Sequence, residues 1–168
     1  MKKVKTKGFR LVSGHVDDTC CVASLAMASG IRYYDVLAKL KASGIYTDEE
    51  MAEKSYAMDD DQWLRAVDLF SIAEGTGYYR IRENEYHKKS LDPLWLSHLE
   101  KDFLITQLFA NGQQHVMLWV YNDGDPYIRD CNSVRDGGIR RDFSRIQIIE
   151  AIAIKRRRGR QDGEDKVA

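Results

Sequence analysis

The run Cys20-Cys21-Val22-Ala23-Ser24-Leu25-Ala26-Met27-Ala28-Ser29-Gly30 constrains this chain most. Wound into a helix it is small and apolar on every side. It has no face to give to water and must be covered on most of its surface. Asp17, Asp18 and Thr19, just before it, are favourable N-cap types, and Gly30 suits the position past a helix end. The rest of the chain must therefore pack around this helix. Cys20 falls in its first turn, where unpaired N–H groups and the positive end of the helix dipole favour a thiolate. The same position also suits an inert core cysteine.

With 168 residues the chain is long enough for one domain with a proper core. Acidic and basic side chains balance at 26 each, so no global field selects nucleic acid or an anionic membrane as a partner. No apolar run reaches transmembrane length, and the basic N-terminus lacks the hydrophobic segment of a secretion signal. Three cysteines, two of them adjacent, make a poor disulfide framework, which favours a reducing, cytoplasmic setting. Nothing in the sequence fixes an oligomeric state.

Along the chain, residues 7–12 suit a short edge strand or arm, and 13–18 a loop. Tyr33, Val36, Leu37 and Leu40 share one face of a helix ending near Ser43-Gly44. Thr47 to Glu50 reads as a capping box opening a polar, surface helix through Ala57. Asp59 with Gln62 repeats that signal, and Trp63, Ala66, Val67, Phe70 and Ile72 extend an amphipathic helix to about Glu74. Gly75-Thr76-Gly77 is expected as a turn and 78–82 as a strand. Asp92-Pro93 opens a short helix. Strands follow at 103–109, 114–121 and 127–130, the first two joined at Asn111-Gly112 and the next two at 123–126. Gly137-Gly138 opens a loop, 143–146 is a helical turn, and 148–154 is a last buried strand. Residues 157–168 form a charged tail expected to be disordered. Its basic start, Lys155 to Arg158, reads as solvated chain rather than an RNA or membrane contact. Helices first and an antiparallel meander after them give an α+β domain over residues 1–156, its N-terminal helices packed on a C-terminal sheet.

A thiol nucleophile needs a base within reach, and the base needs an orienting group. His115 opens an otherwise apolar strand, at a strand end where a cleft can form. Asp130 lies near the end of the next strand, where antiparallel pairing brings such residues to one face. Asn132 is the alternative orienting group. His87 and His98 read as surface residues, and Trp63, Trp95 and Trp119 as core or cleft-wall aromatics. Adjacent cysteines and the lack of a Cys-x-x-Cys spacing set zinc on Cys20, Cys21, Cys131 and His115 well behind the nucleophile reading, so no metal or cofactor is expected.

This order of cysteine at a helix start, then histidine and aspartate on neighbouring strands, resembles the papain-like cysteine peptidases. The nearest local likeness is to the peptidase domains that process bacteriocin leaders at a double glycine, and to their stand-alone relatives. Their nucleophile segment, roughly Asp-Cys-Gly-Val-Ala, is similar to Thr19-Cys20-Cys21-Val22-Ala23, and their following helix to Gly30 through Val36. Their histidine strand resembles His115-Val116-Met117-Leu118-Trp119-Val120, and their aspartate, often followed by proline, resembles Asp130, here followed by Cys131. The likeness spans about residues 13–154. It implies a papain-like fold and a peptidase that cleaves peptide or isopeptide bonds in a peptide or protein substrate. Cys20 would then be the nucleophile, His115 the base and Asp130 its orienting group. In two places the chain departs from that pattern. His15 stands where a glutamine usually donates to the oxyanion, and by that resemblance would take the role here. Cys21 stands where glycine is usual. Both departures leave open a second expectation, an inactive papain-like fold that binds or regulates a protein.

Overall fold

The structure, a computed structural model, describes residues 20–53, 56–131 and 138–155. The expected arm over 7–12, the loop carrying His15, Asn132 and the tail from 157 lie outside these residues.

Four helices come first. α1 is Cys20–Ser29, α2 Tyr33–Ala42, α3 Asp48–Glu53 and α4 Asp60–Leu69. Every residue of α1 after Cys20 is buried, as its all-round apolar surface requires. Gly30, at φ +66°, ends it by donating to the Ala26 carbonyl. In α2 the buried residues are Tyr33, Val36, Leu37 and Leu40, the face that helical spacing marked. Both capping boxes form. Thr47 and Glu50 exchange backbone-to-side-chain bonds of 3.2 and 3.1 Å, and Asp59 and Gln62 do so at 3.1 and 2.8 Å. Gln62 also donates to the Ile45 carbonyl at 2.9 Å, tying the start of α4 to the end of the α2 loop. α3 buries nothing.

The strands are β1 Ala73–Arg80, β2 Phe103–Leu108, β3 Gln114–Val120, β4 Tyr127–Arg129, β5 Ile139–Arg140 and β6 Ile148–Ile154, with a short helix α5, Pro93–His98, before β2. Asp92 caps α5 by accepting from the Leu94 N–H, with Pro93 in its first turn. The strands form one open sheet in the order β1-β6-β2-β3-β4-β5, every neighbouring pair antiparallel. The architecture is α+β. One face carries Leu104, Val116, Leu118, Val120, Tyr127 and Ile152 against α1, α2 and α4. The other packs Phe103, Ile105, Met117, Trp119 and Ile128 against Leu96 of α5 and the 143–148 segment. With both faces covered, β6 is buried along its whole length and shows no polar alternation. No helix among the described residues is long and apolar enough to cross a membrane.

The largest departure from the sequence reading lies at 70–77. α4 stops at Leu69 instead of running to Glu74, with Ser71 in the left-handed region at φ +50°. Ile72 then turns into the sheet, where its carbonyl accepts from the Lys155 N–H. The Gly75-Thr76-Gly77 stretch is a bulge inside β1 rather than a turn. The pairing steps from Ala73↔Ile154 to Tyr78↔Ile152, so several residues of β1 oppose a short piece of β6. Gly77, at φ +94°, sits so close to the sheet that a Cβ there would lie 2.9 Å from the Cβ of Ala153. Only glycine fits. A second departure is β5, which the sequence pattern left within a loop.

Glu150, on β6, is a buried carboxylate at the junction of helix and sheet. It accepts from Trp63 Nε1 at 3.0 Å, the Tyr78 hydroxyl at 3.0 Å, Arg80 Nη1 at 3.3 Å and the Thr106 hydroxyl at 3.4 Å. Arg80 also holds Asp60 of α4 at 2.6 Å. Removing the acceptor strands four donors at once. Glu150→Ala is therefore expected to lower unfolding stability by about 3–5 kcal/mol in urea denaturation. Glu150→Gln, which still accepts from Trp63, is expected to cost less. Equal losses for the two would show that the donors do not depend on this acceptor.

Candidate active site

The site forms where the N-terminus of α1 meets the start of β3. Cys20 and Ser24 are four residues apart and share one side of the helix. The Ser24 hydroxyl donates to the Val116 carbonyl at 3.0 Å in a fully buried bond. One turn earlier, the Cys20 sulfur interacts with the Val116 backbone and with the His115 side chain. Cys20 is half-buried, and Cys21 and Cys131 are buried; none of the three is in a disulfide.

His115 is the first buried residue of β3, stacked on Phe109 across the hairpin with ring centroids 6.0 Å apart. The hairpin closes through Gly112 at φ +85°, with Asn111 Oδ1 accepting from the Gln113 N–H at 3.0 Å. Asp130 follows β4, one step past the Leu118↔Arg129 pair. It is therefore a diagonal neighbour of His115 on the same sheet face. His115 Nε2 lies 2.7 Å from Asp130 Oδ1. An ionised carboxylate only accepts, so Nε2–H donates to it and leaves Nδ1 for the thiol. Arg140 of β5 donates to Asp130 Oδ2 at 3.2 Å.

The electrostatics follow from this chain of contacts. The Cys21 thiol, which hydrogen-bonds the Cys20 sulfur, is the main cause that lowers Cys20. Burial opposes it, and His115 and the Val116 backbone add to it. The Cys20 thiol falls to about 5. Burial works most strongly against a charged His115, yet Asp130 and Cys20 together outweigh it and lift the ring to about 9. At neutral pH the pair is thiolate and imidazolium. Cys21 moves the other way, raised first by the Cys20 sulfur it serves and then by its own burial. Burial, Cys20 and Asp130 raise Cys131 to about 12. Cys20, His115, Asp130 and Arg140 thus form a row of alternating charge, in which each buried ion has an opposite neighbour.

Cys20 also lines a cleft of about 90 Å³ between α1, α4 and the sheet. Met58, Trp63, Val116 and Ile149 give it apolar walls. Gln114, Arg80 and Glu150 supply polar groups. The structure thus brings together Cys20, His115 and Asp130 of the residues singled out from sequence. His15 lies outside the described residues. Cys21, though buried, also acts on the Cys20 sulfur. Arg140 and Gln114 carried no sequence signal; only their places on the sheet reveal them. Cys131, weighed from sequence only as a zinc donor, is buried beside His115 and Asp130. No protein-family model, curated protein or solved structure matches the chain.

Alkylation by iodoacetamide, which needs the thiolate, should separate the three cysteines. Cys20 labelling is expected to rise as pH increases through about 5 and to level off above it, with Cys21 and Cys131 unreactive at neutral pH. In His115→Ala the rise should move to higher pH, because no imidazolium then stabilises the thiolate. Mapping the label by mass spectrometry checks both points. Equal labelling of the three thiols, or an unmoved midpoint in His115→Ala, contradicts this arrangement.

Proposed function

We propose that the chain is a cysteine peptidase-like hydrolase of papain-like type, acting on a peptide or isopeptide bond by acyl transfer. The observation that supports this reading most is the continuous contact from Cys20 through His115 to Asp130 at the wall of an open cleft. A thiolate already paired with an imidazolium is poised to attack a carbonyl carbon. The C–N bond then breaks, and His115 gives its Nδ1 proton to the departing amine, leaving a thioester on Cys20. Neutral His115 next takes a proton from water. The resulting hydroxide attacks the thioester, releases the acid and restores the ion pair. Asp130, itself held by Arg140, keeps the ring turned with Nδ1 toward the sulfur through both steps. The developing oxyanion meets the N–H groups exposed at the start of α1, with Gln114 of the cleft wall as a side-chain donor. We assign His15 to the same role on the likeness of its sequence position. Three cysteines outside any disulfide suit a reducing compartment, and we place the protein in the cytoplasm.

A diverse peptide mixture, with products read by mass spectrometry, tests this. Cleavage is expected with the unaltered protein and none with Cys20→Ala. His115→Ala should lower kcat/KM by about 10²–10⁴-fold. Asp130→Asn should lower kcat more than it raises KM, since it disturbs the ring and not the cleft. An acyl adduct on Cys20 should be trappable at low pH. If Cys20 alkylates selectively but no peptide is cleaved or acylates it, the peptidase reading fails. The alternative, an inactive papain-like module that binds a protein, then takes its place.

A further inference from the structure

Phe109 follows β2 and begins the hairpin beside the site. Its backbone closes the turn: the N–H donates to the Gln113 carbonyl at 2.8 Å, and the carbonyl accepts from the Gly112 N–H at 2.9 Å. Neither bond calls for a particular side chain. The ring belongs to neither hydrophobic core of the sheet and is 40% exposed, whereas His115 is 5% exposed. Gln107 pairs with His115, so Phe109, two residues on, is a diagonal neighbour of His115 on the same sheet face. The two rings stack with centroids 6.0 Å apart and planes 29° from parallel.

One hydrogen bond fixes one atom of a ring and not its plane. Asp130 holds Nε2 at 2.7 Å, but rotation about the Cβ–Cγ bond of a histidine is soft, and the imidazole can swivel about that contact. A swivel carries Nδ1 away from the Cys20 sulfur. A flat neighbour against one face of the ring resists it. We propose that Phe109 is a positioning residue for His115, its ring holding the imidazole plane so that Nε2 meets Asp130 and Nδ1 meets Cys20 at the same time. The contact also acts on charge. The face of an aromatic ring is negative and attracts a cation lying over it. Imidazolium gains from that and neutral imidazole does not, so the stack works with Asp130 and Cys20 and against burial. The titratable and charged groups around His115 are Cys20 of α1, Asp130 and Cys131 after β4, and Arg140 of β5 behind Asp130. From β2, its pairing partner Gln107 and Phe109 bring no charge. A change at Phe109 alters none of these charges.

The test titrates His115 by NMR and Cys20 by iodoacetamide in the whole protein. It reads protonation and not cleavage, so it can fail while the peptidase reading stands. Phe109→Leu keeps an apolar side chain but has no aromatic face. His115, raised to about 9 in the unaltered protein, is expected to lose its proton at a pH lower by about half a unit or more. The Cys20 alkylation midpoint is expected to rise from about 5, since the imidazolium beside it is less well held. Phe109→Tyr, which keeps the ring, is expected to move neither. Added to His115→Ala, Phe109→Leu should have no further effect on Cys20, because the ring acts only through the imidazole. The unaltered protein supplies a check that needs no variant to fold: the carbon-bound ring protons of His115 should be shifted upfield by the Phe109 ring current and show cross-relaxation with its protons. Titrations that Phe109→Leu leaves unmoved, a shift in Phe109→Tyr as large as in Phe109→Leu, an effect on Cys20 that persists without His115, or no cross-relaxation between the two rings would each overturn the proposal.

Discussion

The seat of α1 on β3 is the contact from which the site follows. A helix with no polar face is covered on all sides, and small residues such as Ala23 and Ala26 let it lie close to its neighbours. The buried bond from Ser24 to the Val116 carbonyl then fixes how far along the strand it sits. A slide of one turn, about 5.4 Å, would break that bond and carry Cys20 away from His115. Burying a hydroxyl without a partner is costly, so the slide is opposed by the same group that sets the position. Packing, not catalytic chemistry, places the sulfur.

Two polar groupings stand on either side of the cleft. The row running from Cys20 to Arg140 lies toward β4 and β5, and the cluster around Glu150 lies toward β1. Each is anchored across several chain segments that are far apart in sequence. Trp63 is 87 residues from its acceptor Glu150. Groups of this kind in a low-dielectric interior are expensive unless every member is matched, which favours a single arrangement of the sheet over near alternatives.

Local chemistry was legible where a few neighbouring residues decide it. The two capping boxes, the buried face of α2, the Asp92-Pro93 start of α5 and the existence of β6 all follow from patterns of three to ten residues. What the pattern did not show depends on partners elsewhere. Phe70 and Ile72 continue the helical spacing of α4, yet Ile72 is drawn into the sheet by β6. Gly75 and Gly77 look like a turn because the same positive φ serves a bulge. In the site, His115 and Asp130 could be paired by strand adjacency. Arg140 could not, because its two-residue strand has no pattern of its own. The influence of Cys21 on Cys20 was also hidden, since adjacent helical residues normally face different ways.

β6 has a consequence for how the chain is made. It is the latest of the described strands to leave the ribosome, yet it lies between β1 and β2, pairing with strands about 40 to 80 residues earlier. Until it arrives, the hairpin of β2 and β3 presents one bare edge and β1 has nothing to pair with. Trp63, Tyr78 and Arg80 meanwhile lack their shared acceptor. Closing such distant pairings is slow compared with forming helices, so nascent chains pass through a state with open edges. The wall of the cleft formed by Ile149 and Glu150 is therefore missing from any chain cut short before residue 148. A thiol exposed on such a fragment would have no finished cleft beside it.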